Sequence, residues 1–193
     1  MNEKKEIVIA SNNKGKIKEA KEILDNYNII SIEELGIDID VEEDQETFEK
    51  NAIKKAETIA KQLDGKICLS DDSGIEIEYL DGFPGVHTKR WHQGTDRQRN
   101  IEILNKLKGV PKEKRKISFV TAIAVSDGNK TICETGRIDG FVSSSVRGEN
   151  GFGFDEIFEL PNGKTLAEIT EEEKNKISAR RIALERVRKK ISF

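Results

Sequence analysis

The chain is short of the residues that define several classes of protein. Its 193 residues include 2 cysteines, 2 histidines and 1 tryptophan, and only 6% are aromatic. Cys68 and Cys133 lie in apolar, strand-like contexts without metal-ligand spacing. They exclude a disulfide scaffold and predict buried free thiols in a reducing compartment, the cytoplasm by default. His87 and His92 are not spaced like a zinc set. No apolar run approaches the roughly eighteen residues of a membrane span. The formal net charge of -3 argues against a general nucleic-acid coat and leaves room only for a local basic pocket. Met1-Asn2-Glu3-Lys4-Lys5-Glu6 leads straight into a strand and has no signal-peptide pattern. Neither repeats nor low-complexity linkers break the chain.

What it has is charge. Charged residues make up 36% against 35% hydrophobic, so a lean core under a highly charged surface is expected. The length suits one or two domains. Strand–helix alternation early, hairpins later and a final helix predict an α/β chain, read as one domain over 1–193 with two lobes and a cleft between them.

The centre of the sequence is Leu69-Ser70-Asp71-Asp72-Ser73-Gly74. Lys66–Leu69 and Ile75–Tyr79 read as strands, which puts the carboxylate pair at a turn between them. Adjacent carboxylates repel and lose solvation when buried, and a cation offsets both effects. A plain acidic turn explains the stretch equally well.

Around it, Ile7–Ala10 reads as a buried strand. Ser11-Asn12-Asn13-Lys14-Gly15-Lys16 follows, then a helix to about Leu24 with Ile17, Ala20, Ile23 and Leu24 on one face. A polar loop before a helix N-terminus suits an anion, because free amides point out of the first turn. The P-loop pattern is absent, and solvated lysines are the alternative. Asn28–Ile32 reads as an edge strand. Asp38–Glu46 is an acidic run, either placed for the helix dipole or lending a carboxylate to a cation. The helix from about Thr47 to Leu63 carries Asn51 and Lys55 one turn apart, beside its apolar stripe.

Asp81–Val86 is a breaker-rich loop. Thr95–Gln98 is a capping box opening a helix with Ile101, Leu104 and Leu107 inward. Ile117–Val125 and Thr131–Ile138 form a hairpin about Asp127-Gly128-Asn129, and Phe141-Val142 suggests a further strand. In Gly151-Phe152-Gly153-Phe154-Asp155, glycines between rings let backbone and ring approach a flat ligand; a glycine-rich corner is the alternative. Thr170–Glu173 is a second capping box, opening one helix to about Lys190 with Ile177, Leu184, Val187 and Ile191 inward. Lys174 and Arg180 lie where the helix dipole does not favour cations, which suits an anionic ligand or a solvated face.

Six of these pieces, in order, resemble the inosine/xanthosine triphosphate pyrophosphatase (HAM1-like) family over nearly the whole chain. They are Ser11-x-Asn13-x-x-Lys16; Glu43 before Thr47-Phe48-Glu49-x-Asn51-Ala52-x-x-Lys55-Ala56; Asp71-Asp72-Ser73-Gly74; Phe83-Pro84-Gly85; Gly151–Asp155; and Glu173-Lys174 leading to Ser178-x-Arg180. The resemblance implies an elongated central mixed β-sheet flanked by helices, with two lobes enclosing a deep nucleotide-binding cleft. It implies a homodimer that hydrolyses non-canonical purine nucleoside triphosphates to the monophosphate and pyrophosphate with Mg2+. By the same likeness, the Ser11–Lys16 loop holds phosphates. Glu43 and Asp72 hold magnesium, Asp72 activates water, and Asp71 supports it. Asn51, Lys55 and Ser73 face the substrate. Phe152 to Asp155 hold the purine, with Phe154 stacking and Asp155 reading its edge, and Lys174 and Arg180 complete the grip.

The sequence departs from that family twice. Ser178-Ala179-Arg180 stands where the family usually has Ser-His-Arg, so Ala179 removes a contact to the 6-oxo edge. Glu156 stands where proline usually follows the aspartate, which changes loop stiffness. Two other readings fit the residues: a purine-nucleotide sensor that does not cleave, and a phosphatase releasing orthophosphate.

Overall fold

A computed structural model describes residues 4–192. Six strands form one mixed sheet. They are β1 (Glu6–Ile9), β2 (Asn28–Ser31), β3 (Cys68–Ile77), β4 (Lys116–Ser126), β5 (Thr131–Val142) and β6 (Phe158–Glu159), in the order β2-β1-β3-β4-β5-β6. β1 runs parallel to β2 and β3, and β5 antiparallel to β6. The helices are α1 (Lys14–Ile23), α2 (Phe48–Gln62), α3 (Asp96–Lys106), α4 (Glu171–Ile177) and α5 (Ala179–Arg188).

The chain divides into two compact units. The first comprises the chain up to Ser73, Thr121–Gly136 and the chain from Ala179; the second comprises Gly74–Val120 and Arg137–Ser178. In the first unit, side-chain alternation along the strands makes two cores. Ile7, Ile9 and Leu69 pack with Ala20 and Ile23 of α1 and with Ala183, Leu184 and Val187 of α5. Val8, Ala10 and Cys68 pack with Ile59 and Ala60 of α2. The second unit has its own core, in which Ile75 and Ile77 meet Ile103 and Leu107 with Phe154, Ile157 and Phe158.

Helix starts follow local chemistry. Asn13, Thr47, Thr95 and Thr170 accept backbone N–H bonds from the first turns of α1 to α4, the ordinary N-cap role. The turn after β4 is closed by Asp127, whose carboxylate accepts from the amides of Asn129 and Lys130.

Several expectations change. Asp71-Asp72 lie inside β3, which runs unbroken through Gly74, not at a turn between strands. Phe141-Val142 continue β5. The C-terminal helix is two helices, because Ser178 is extended (φ -65°, ψ 145°) between α4 and α5; serine competes well for such cap positions. Ile177 is therefore exposed and not inward, and on α3 Ile101 is exposed while Ile103 is buried. A third capping box, Thr165 with Glu168, was not anticipated. Both cysteines are free; Cys68 is buried but Cys133 only partly so. Burial pushes the Cys68 thiol up to about 12 and the Cys133 thiol up to about 11. Among the described residues, no helix is long and apolar enough to cross a membrane.

Candidate active site

In the first unit, β3 presents Asp71 and Asp72 to different partners, as alternation along a strand requires. Asp71 Oδ2 lies 2.7 Å from Lys16 Nζ and 3.5 Å from Arg180. Arg180 also pairs with buried Glu19 at 2.9 Å. Asp72 Oδ2 accepts from Asn51 Nδ2 at 2.9 Å. Asn51 is buried on α2, and its own Oδ1 accepts from the amide of Gln45 at 2.9 Å. That bond ties the acidic segment to the helix. Lys55, one turn on, pairs with Glu43. Ser73 spans the pair: its hydroxyl donates to Asp71 at 3.1 Å and its amide to Asp72 at 2.9 Å.

The two carboxyls titrate in opposite directions. Burial pushes Asp71 up, but the charges of Lys16, Arg180 and Lys55 outweigh it and hold the group well below the usual carboxylate range. Burial raises Asp72 and the nearby negative charge of Glu43 adds to the rise; the Asn51 hydrogen bond and Lys55 oppose it without reversing it. One carboxylate is thus kept ionised by fixed cations, and its neighbour is a better proton acceptor than an ordinary aspartate.

The Ser11–Lys16 loop differs from the expected array of free amides. Asn13 Oδ1 accepts from the amides of Gly15 at 3.0 Å and Lys16 at 3.2 Å, and the Asn13 amide donates to Ser11 Oγ at 3.2 Å. The first turn of α1 is self-capped, so Lys16 is the cation the loop aims at β3. Asn12 and Lys14 are exposed and line a separate surface cavity of about 520 Å³ with Ile17 and Lys18.

The residues expected to hold magnesium can be tested for fit. Among the described residues, no group of three or more His, Cys, Asp or Glu is set to bind a metal. Magnesium needs fewer, because it takes one or two carboxylates and completes its shell with water and phosphate oxygens. Glu43 and Asp72 supply hard oxygens, and Asp72 feels the charge of Glu43. The Lys55 ammonium already sits against Glu43, with its charge favoured by Asp71 and Asp72. An acid-rich spot that holds a cation fits the metal.

In the second unit, Asp155 organises the glycine-aromatic loop. It is buried, and Oδ2 accepts from the Phe152 amide at 2.8 Å and from Lys174. Gly151 has φ 76°, and a Cβ there would sit 2.1 Å from Asp155 Oδ2, so only glycine fits. The expected ring assignment changes. Phe154 is 4% exposed and packed in the core, whereas Phe152 is 50% exposed. The ring available to a flat ligand is Phe152, and the Lys174 ammonium lies 4.3 Å from its centroid. Asp155, expected at the purine edge, closes the loop from inside. Ala179 is buried at the start of α5, and its carbonyl lies 1.9 Å from where a Cβ on Gly136 would fall.

Three participants were missed. Glu19, which holds Arg180, sits on α1 three residues after Lys16, but its position off the apolar stripe concealed its burial. Asp96 and Asn100, which bond the amide and carbonyl of Gly153 in the glycine-aromatic loop, are four apart on α3, and only that helical spacing hinted that they act together.

This combination defines an α/β protein with a cation-buffered aspartate pair, of the kind suited to phosphoryl chemistry. The Ham1 family model matches residues 7–190, and the chain belongs to that family. It is 45% identical to a Clostridium perfringens protein named dITP/XTP pyrophosphatase, over 95% of this chain and 96% of the relative. It is 46% identical to a Bacillus subtilis protein of the same name, over 96% of both. The Ham1 protein of Staphylococcus aureus superposes with a TM-score of 0.87 at 41% identity, covering 96% of this chain and 97% of that one. A Coxiella burnetii HAM1 protein gives 0.88 at 37% identity, covering 96% and 97%.

Proposed function

We propose that this chain hydrolyses non-canonical purine nucleoside triphosphates, inosine, deoxyinosine and xanthosine triphosphates among them, to the monophosphate and pyrophosphate. The observation that carries the reading is the convergence of Lys16 and Arg180 on Asp71 beside an Asp72 held by Asn51 and the Ser73 amide, in a chain whose relatives are named for that chemistry.

Lys16 and Arg180 neutralise Asp71 and bring positive charge to the phosphate side; Ser11 and Asn13 add donors, and Ser73, whose donors hold the two aspartates, lies beside the substrate. Glu43 and Asp72 would hold magnesium, which when bound neutralises charge on the phosphoryl oxygens. Asn51 and the Ser73 amide orient the Asp72 carboxylate. Asp72, oriented in this way, is placed to accept the proton of the attacking water. Lys55 balances Glu43 until the anionic substrate arrives. In the second unit, Phe152 offers a ring to the base, and Lys174 brings a cation beside it.

The resemblance also supports a homodimer in the cytoplasm, and sedimentation equilibrium reads the dimer directly. The test of function is a panel of inosine, xanthosine, deoxyinosine, adenosine and guanosine triphosphates with magnesium, with products resolved. Pyrophosphate plus monophosphate from the inosine and xanthosine substrates supports the reading. Orthophosphate plus diphosphate means a phosphatase, and binding without turnover means a sensor.

A further inference from the structure

The loop bearing Phe152 is held by α3. The amide of Gly153 donates to Asp96 Oδ2 at 2.7 Å, and its carbonyl accepts from Asn100 Nδ2 at 3.0 Å. Both polar groups of this one residue are therefore taken by two side chains one helical turn apart. Gly153 has φ 64°, a left-handed backbone that favours glycine, and the two hydrogen bonds fix its orientation. Asn100 is fully buried, and its Nδ2 also donates to Glu156 Oε2 at 2.9 Å. The other Glu156 oxygen pairs with Arg97 at 3.0 Å. Glu156 stands where a proline was expected, so hydrogen bonds to α3 replace a fixed φ as the source of stiffness.

We propose that Asn100, oriented by Glu156, is a positioning residue for base selection: it holds the Gly153 carbonyl and so the pose of the exposed Phe152 ring. The proposal rests on the pyrophosphatase reading and deepens it. Neither side chain touches the reacting atoms. Both act through the loop, and a looser loop discriminates less between purines because its backbone donors and acceptors no longer converge on one edge.

Asn100→Asp keeps the shape but places a carboxylate against the Gly153 carbonyl and Glu156. Adding Glu156→Gln restores a donor facing position 100. For inosine and adenosine triphosphates, the single variant is expected to raise KM for inosine triphosphate about tenfold while kcat stays within about twofold, the pattern of lost binding and not of lost chemistry. The ratio of the two kcat/KM values should narrow about threefold or more, and the double variant should recover part of both losses. Glu156→Ala, at a partly exposed position, should move the same quantities less and serves if Asn100→Asp does not fold.

Amide hydrogen exchange over residues 151–155 is the second measurement. It should quicken in Asn100→Asp and slow again in the double variant. Unchanged exchange there, a fall in kcat at constant KM, or an unchanged substrate ratio overturns the proposal. If the native chain releases no pyrophosphate from any purine triphosphate, the functional reading fails instead, and exchange still decides whether the clamp exists.

Discussion

Asp71 and Asp72 are neighbours in sequence yet answer to different helices: Asp71 pairs with Lys16 of α1 at 2.7 Å, and Asp72 is bonded to Asn51 of α2 at 2.9 Å. Adjacent residues of a strand point to opposite faces, and here each face is covered by a different helix. Two chemically identical side chains thereby acquire opposite proton affinities.

Asp72→Asn should keep the fold, since the amide can still accept from Asn51, and should lower turnover about 10²–10⁴-fold, the scale for a lost general base. Circular dichroism and pyrophosphate release with magnesium present test both parts. Full activity would remove Asp72 from the mechanism.

Asp71→Asn should be costly to stability instead. It leaves Lys16 buried against a neutral group and Arg180 with Glu19 as its carboxylate partner, and breaking a buried pair costs about 3–5 kcal/mol. The pH dependence follows from the sign of the shift. The folded-state pKa of Asp71 lies below its unfolded value, so its contribution is complete above about pH 4 and is lost as pH falls below that. Asp72, raised in the fold, works the other way: its contribution is complete below its unfolded value and is lost as pH rises from there through its folded one. Denaturant midpoints measured from neutral pH down to about pH 3 should fall less steeply in Asp71→Asn than in the native chain. Equal slopes would mean that Asp71 is not the acid-sensitive group.

Under the proposed function, which puts Lys16 on the phosphate side, Lys16→Ala should weaken every triphosphate by a similar factor; Lys16 is far in sequence from the ring-bearing loop. Its loss also uncovers Asp71, so a moderate drop in thermal midpoint should accompany the rise in KM. A loss confined to one base would place Lys16 elsewhere.

Ala179→His tests the departure at the last motif. Restoring the imidazole should raise kcat/KM for inosine triphosphate more than for adenosine triphosphate. The position is buried, and the neighbouring strand approaches so closely that only glycine fits at 136. Overpacking should therefore lower stability by about 1–3 kcal/mol. A ratio that does not rise would show that position 179 does not address the purine edge.

Local chemistry alone determined much of this protein. Thr47, Thr95 and Thr170 marked helix starts because a cap bonds amides only two or three residues ahead. The α/β class followed from hydrophobic period, and the acidic pair, the lysine loop and the glycine-aromatic stretch were legible as motifs in family order. Tertiary structure decided what depends on contacts distant in the chain. No local pattern tells whether Asp71-Asp72 lie in a turn or a strand, since neighbouring strands supply the bonds that keep β3 extended. Phe152 and Phe154 are the same residue two positions apart, and only the core packed around one of them decides which ring remains exposed. Glu19 is buried because Arg180, 161 residues away, comes to meet it. Burial and charge pairing are properties of the assembled neighbourhood, and the proton affinities of Asp71 and Asp72 arise there.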